Sequence, residues 1–388
     1  MKTIVPTLII LTTLSQHLFS QNHPAFGPET NVTINGLTFD AMEPFISPDG
    51  NTLFFNSLNS GGNTNLYFAT RVDDTTFTYA GPVGGTYDSS PDHLDAVASL
   101  DSMDNFFWVS LRGYPVPMEN LHRGIYSAGT VSSITRVHGD FNIHEFNYPF
   151  GWLIMDAAIN HHGDQLYFCN ALFDFSNTTC AGVPCEAKLG VAQKVNDTTF
   201  NKLLNSDAIF TNVNDTNYLV YAPQITEDGL ELYYTRLLKS TINTEICVSV
   251  RTTVSDTFGL PLVIYSNNGY LPEAPTVTTD KQRLYYHQKD NSLIHKIYLR
   301  YRTAPAGINE HLPTDRPSVY PNPTNNIIHV QYTEEEKPFD MVLYSVLGEE
   351  LRRTSKASSI DISTFPRGIY VLAISLNANT WSVKVVKQ

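Results

Sequence analysis

Seven side chains have the type and spacing to do chemistry: Asp40, Glu43, Asp92, His93, Asp95, Asp156 and Glu273. Glu43, Asp95 and Asp156 each stand just ahead of an apolar stretch in three successive copies of one pattern. Asp40 and Asp92 lie three residues before Glu43 and Asp95, His93 flanks Asp95, and Glu273 precedes the fifth copy. Carboxylates that converge raise one another's pKa, hold cations, or divide into a general acid and a general base. Glu43, Asp95 and Asp156 are therefore the catalytic candidates, and all seven are candidates for holding a ligand. The same acids have a plainer use at strand ends, where they accept hydrogen bonds from exposed backbone amides.

Other chemical motifs are thin. His161-His162-Gly163-Asp164 falls in a tight turn, where neighbouring side chains diverge, and no further ligand follows at zinc spacing. No metal site is expected, although the acids leave a calcium-stabilised structure open. There is no HExxH, nucleophile elbow or phosphate-binding glycine loop. The loop 139–152 carries Phe141, Phe146, Tyr148, Phe150 and Trp152, which could stack on a sugar or simply pack between elements.

The elements that must position these residues form an internal repeat. Glu43 to Ser57 reads as two strands joined by the turn Ser47-Pro48-Asp49-Gly50. Taking Pro44, Ala96, Ala157, Pro223 and Pro275 as equivalent gives five copies at spacings of 52, 61, 66 and 52 residues. Each continues into an aromatic second strand (Phe54-Phe55, Phe107-Trp108, Tyr167-Phe168, Tyr233-Tyr234, Tyr285-Tyr286) and then a third. A fourth strand follows near Phe77, Val131, Phe200 and Leu260, but the fifth copy lacks one. Four strands per copy at this period predicts an all-β propeller of five blades, or six if a blade lies between Val131 and Phe150. The orphan piece Val32-Thr33-Ile34 is expected to supply the missing strand and close the ring. Strand starts then crowd one mouth of the channel, bringing Glu43, Asp95 and Asp156 to one level.

The pattern Pro44-x-x-Ser47-Pro48-Asp49-Gly50-x-x-Leu53-x-Phe55 resembles the WD40-like (PD40) repeat of TolB-type propellers, over roughly residues 26–302. That resemblance implies a binding or interaction module for a protein, peptide or glycan docked at the channel mouth. Five-bladed glycosidases place a carboxylate trio in this region, so a carbohydrate-active hydrolase is the alternative.

Composition sets the remaining bounds. The 388 residues carry a net charge of -13, which excludes nucleic acid as a default partner. Aromatic residues make up 12%, favouring β structure. Residues 1–20 read as a secretory signal, and no later stretch is long and apolar enough for a membrane span. Of four cysteines, Cys180 and Cys185 could close a small ring, while Cys169 and Cys247 read as buried thiols. Residues 303–317, with Pro305, Gly307, Pro313 and Pro317, read as a linker after a propeller at 21–302.

Residues 318–388 are expected to form a separate small Ig-like β-sandwich. Tyr320-Pro321-Asn322-Pro323, Leu343-Tyr344-Ser345-Val346-Leu347-Gly348, Pro366-Arg367-Gly368-Ile369-Tyr370-Val371-Leu372 and the basic end Lys384 and Lys387 occur in order. They resemble the type A sorting domain of the type IX (Por) secretion system. This implies a Bacteroidota-type protein whose partner is that machinery, carried to the outer-membrane surface or beyond.

Overall fold

The computed structural model describes residues 24–59, 63–87, 93–180, 182–303, 317–331, 339–345, 348–376 and 379–388. The expected signal (1–20), Asp92 and residues 304–316 of the expected linker lie outside them. The chain divides into two compact units, Met1–Pro305 and Ala306–Gln388. Strands build both, and the one helix among the described residues is the four-residue turn Ser206–Ile209.

The first unit holds five sheets of four or five strands. Their inner strands are Met42–Ile46, Asp95–Leu100, Phe150–Ile159, Tyr218–Ile225 and Glu273–Val277. Each packs against the next, and the fifth packs against the first, giving a propeller-like ring. Residues 131–150 form no further sheet. They complete Thr130–Arg136 and cross to Phe146–Asn147, which joins the third sheet. Aromatic second strands fill the spaces between sheets, as where Phe54 of the first meets Phe106 of the second at 5.2 Å between ring centroids.

Ring closure differs from expectation by one segment. The strand completing the fifth sheet is Ala25–Asn31, antiparallel to His295–Thr303. Thr33–Asn35, which overlaps the predicted closing piece, instead adds a fifth strand to the first sheet, parallel to Thr76–Pro82. The earlier segment, Ala-Phe-Gly-Pro-Glu-Thr-Asn, lacks alternation and carries a proline, which an edge strand tolerates.

The turn after each inner strand is conserved in geometry where its sequence is not. In the first sheet Ser47 Oγ donates to Asp49 Oδ1 (2.5 Å) and accepts from the Thr52 amide (2.9 Å), while Gly50 holds φ +72°. Thr226 with Asp228, and Thr278 with Asp280, reproduce this (2.6 and 2.5 Å). In the second sheet Asp101 does the work alone, accepting the Met103 and Asn105 amides at 2.9 Å. In the third, Asn160 accepts from Asp164 (3.0 Å) and Gln165 (2.9 Å). Short polar side chains that bond their own backbone are interchangeable here.

The second unit is a β-sandwich-like pair of sheets of three and four strands. They share one core that includes Ile328, Val330, Phe339, Leu343, Ile360, Leu372 and Val385. Lys387 is 7% exposed, and its Nζ donates to the carbonyls of Ile362 (2.8 Å), Ser363 (2.7 Å) and Phe365 (2.6 Å). Lys387→Ala strands three carbonyls and should cost this unit about 3 kcal/mol. Differential scanning calorimetry of the full chain should show its transition shifted down, and an unshifted transition would remove the structural role of Lys387.

Candidate functional site

Each inner strand carries a bulge a few residues before its turn. At four of them a non-glycine residue sits at positive φ: Glu43 (51°), Val97 (57°), Ala222 (50°) and Ala274 (52°). Such a conformation is uncommon. It turns the amide out of the ladder, where it must find another acceptor. Glu43 N donates to His287 Nδ1 (3.0 Å), Val97 N to Asn56 Oδ1 (3.4 Å) and Ala274 N to Thr235 Oγ1 (2.9 Å). Each acceptor is the polar residue after the aromatic pair in the preceding sheet's second strand. At the fourth bulge Asp156 Oδ2 takes that part, accepting the Ala222 amide at 3.2 Å.

The bulges correct the alignment of the second copy. Equivalent turn residues, read from the hydrogen bonds that close the turns, are Ser47, Asp101, Asn160, Thr226 and Thr278. Four residues back lie Glu43, Val97, Asp156, Ala222 and Ala274. Asp95 is therefore two residues short of the level expected of it. A slip of two preserves strand alternation, which hid it in the sequence. Asp95 is fully buried, accepts Trp108 Nε1 (3.1 Å) and pairs with Arg112 (2.6 Å). It does not line the cavity described next. Asp95→Ala should cost about 2–4 kcal/mol by removing the buried acceptor of Trp108 and the ion-pair partner of Arg112, which keeps the Thr86 carbonyl. It should leave ligand binding intact once folded, and a thermal melt with a binding assay on the same sample checks both.

The structure does bring Glu43, Asp156 and Glu273 together, in the wall of one cavity of about 580 Å³. Leu58, Leu94, Leu153, Met155, Leu219 and Leu237 supply much of the remaining surface, and Gly182–Pro184, held by the Cys180–Cys185 disulfide, also line it. At the turn end the channel narrows to about 30 Å³ among Ile46, Leu100, Ile159, Ile225 and Val277, one from each inner strand.

The three carboxyl groups differ in charge state. Glu43 is pushed up to about 8 by burial, and further by Asp156 and Glu273. Its Oε1 accepts from Asn59 (2.9 Å), while its buried Oε2 has no hydrogen-bond partner. Asp156 is pushed up to about 7 by burial, partly offset by the Ala222 amide, with Glu273 adding to the rise. Glu273 lies below its usual range, because His287 and Tyr221 outweigh the effect of burial. Tyr221 donates to its Oε1 at 2.7 Å, and His287 Nε2 lies 3.4 Å from Oε2. Near neutral pH the pocket therefore holds two protonatable acids beside an ionised one. Among the described residues, no group of three or more His, Cys, Asp or Glu side chains is placed to hold a metal ion.

The other predicted residues play lesser parts. Asp40 Oδ1 accepts the His295 amide (2.8 Å) and so supports a residue of the cavity wall from behind. His93 is half-buried, its carbonyl accepts the Thr64 amide (3.1 Å), and it is absent from the wall. Asp92 lies outside the described residues. His161 faces Glu227 (3.6 Å) on the turn side. In the aromatic loop, Phe141 is core and Tyr148 is 71% exposed. Sequence reasoning missed Tyr221, His287, His295 and Asn59. His287 was legible as the polar residue after an aromatic pair, in the column of Asn56 and Thr235. Tyr221 stands one residue before its bulge, as Glu273 does.

A family described as secretion system C-terminal sorting domain matches residues 318–388. The protein is accordingly a secreted or cell-surface protein exported by the type IX system. No curated protein matches the chain. Among solved structures, the chain is similar to the α-L-arabinofuranosidase PaAbf62A of Podospora anserina in complex with cellotriose. That match has 13% identity and a TM-score of 0.47, covering 73% of this chain and 98% of that one. It is also similar to an endo-arabinase of Bacteroides thetaiotaomicron, at 13% identity and a TM-score of 0.42 over 71% and 98% of the two chains. A third is PorZ, a surface component of the type IX secretion system of Porphyromonas gingivalis, at 10% identity and a TM-score of 0.32 over 91% and 52%. Likenesses this remote carry no argument about activity. Among the described residues no helix is long and apolar enough to cross a membrane.

Proposed function

We propose that the first unit is a ligand-binding module displayed outside a Bacteroidota-type cell, with the pocket of Glu43, Asp156 and Glu273 as its site. Residues 1–20 act as the export signal, and residues 26–302 are a TolB-like propeller. The observation that carries the reading is a largely apolar pocket with three carboxyl groups in its wall. Pockets of this kind take a ligand with an apolar body and a few hydrogen-bonding groups that fix its orientation. The ligand presents donors toward Glu273 and Asp156 and lays its apolar part on the leucines. Isothermal titration with octylamine and octyl glucoside as amphipathic probes tests it. At least one should bind, about tenfold more weakly to Asp156→Asn. Failure of both to bind would count against the site.

A second reading rests on the charge states. A protonated Glu43 beside an ionised Glu273 is the pairing that a glycoside hydrolase needs for acid and base. Turnover of 4-nitrophenyl glycosides that disappears in Glu43→Gln would favour it over simple binding.

A further inference from the structure

A second cavity, of about 780 Å³, lies between the segment from Glu29 to Ala41 and the fifth-sheet hairpin at 288–298. Its character is opposite to that of the first. Asn31, Asn267, Tyr270, Gln288, Asn291 and His295 all line it. Its volume falls within the range of about 300–1,000 Å³ typical of small-molecule sites.

The charges around this groove are balanced. Glu29 and Asp290 face Lys289 and Lys296 in its lining. Asp290 pairs with Lys296 at 2.7 Å, and Glu29 accepts from Tyr286 (3.0 Å) and Gln288 (3.1 Å) with Arg300 nearby. The four charges of the lining sum to zero, so the groove offers a charged ligand no net field to follow. Two buried polar atoms of the wall are unsatisfied, however. Gln288 is 2% exposed and its Oε1 has no hydrogen-bond partner, although its Nε2 is committed to Glu29. His295 is 6% exposed and its Nδ1 has none. Buried polar groups normally have partners, and each exception marks a place where a water or a ligand hydroxyl is accommodated. Tyr270 Oη donates to Asn291 Oδ1 (3.2 Å), so an amide and a phenol are already oriented at the exposed edge.

We propose that this groove is a second binding site, for an uncharged, hydroxyl-rich chain of the oligosaccharide class. Hydroxyl groups donate and accept with equal ease, which suits a wall of amides, a phenol and an unpartnered carbonyl. A peptide would bring alternating side chains and backbone dipoles, whose recognition rests on strand pairing and side-chain pockets and not on a wall of amides. The site stands apart from the carboxylate pocket and does not depend on the reading of it, although His295 and Lys289 belong to both walls.

The test is titration calorimetry of the full chain with neutral linear hexasaccharides of glucose, xylose, arabinose and mannose, and with an uncharged decapeptide. At least one hexasaccharide should bind, with little change on raising the salt. Its affinity should fall about tenfold in Gln288→Met. Asn291→Ala, on the exposed hairpin, should weaken it several-fold and serves if Gln288→Met does not fold. Glu43→Gln should leave it unchanged, which separates this site from the carboxylate pocket. Binding of no hexasaccharide, binding of the decapeptide only, or affinity unaffected by both groove substitutions would overturn the proposal.

Discussion

Raising the pH from 6.5 to 8 should destabilise the first unit by about 2 kcal/mol, and Glu43→Gln should abolish most of that loss. Glu43 titrates near 8 in the folded chain, against an ordinary 4.5. The folded state therefore binds more protons than the unfolded one between these values, and stability falls as pH rises through the window. Asp156, near 7, acts in the same direction. Two buried histidines act oppositely. His122 and His295 are both lowered to about 4, chiefly by burial, so they must be charged on unfolding below about 6.5. Between pH 4.5 and 6.5 the two pairs nearly cancel, and above 6.5 only the carboxyl groups remain. Stability should thus be flat up to about pH 6.5 and then decline. Above pH 8 Glu43→Gln should gain up to about 5 kcal/mol over the parent, while at pH 5 the two should be nearly equal. Denaturant melts at the two pH values decide this, and parallel curves for parent and variant would show that Glu43 is not the source.

The second large effect concerns ring closure. A chain beginning at residue 36 should melt at least about 10 °C below one beginning at residue 21. It loses the pairing of Ala25–Asn31 with His295–Thr303 and of Thr33–Asn35 with Thr76–Pro82. It also loses the bond from Arg300 to the Gly27 carbonyl (2.7 Å) and those of Tyr286 and Gln288 to Glu29. At about 1 kcal/mol for each hydrogen bond lost, the deficit is on the order of 6 kcal/mol, and a domain of this size shifts by roughly 2 °C per kcal/mol. Adding a peptide of residues 24–35 should restore part of the loss. An unchanged melting temperature would mean that the ring does not depend on its first strand.

The repeat was visible in the sequence because its signals are local. Aromatic pairs such as Tyr285-Tyr286 mark second strands, and Ser47-Pro48-Asp49-Gly50 marks a turn. The level of each residue on the inner strand was less visible, because it depends on where the bulge falls. A bulge adds one unpaired residue with no fixed sequence sign. Glu43 and Asp156 share one level because the turn opens four residues on in both copies, at Ser47 and Asn160. Asp95 was misplaced because Asp101, not an earlier residue, opens the second turn. The partners of the site were hardest to see. His287 lies 244 residues from Glu43, and Tyr221 lies 52 from Glu273. The first contact exists only once the ring has closed, and the second only once the fourth and fifth sheets have packed together.

Glu43 and Asp156 share one buried pocket with an ionised Glu273. Carbon-13 NMR of side-chain carboxyl groups, followed from pH 3 to 10 in the full chain, tests it most directly. The structure predicts resonances titrating near 8 and near 7, with the first absent in Glu43→Gln and the second absent in Asp156→Asn. Carboxyl groups at both positions that titrate in the ordinary range of about 3–5 would contradict it.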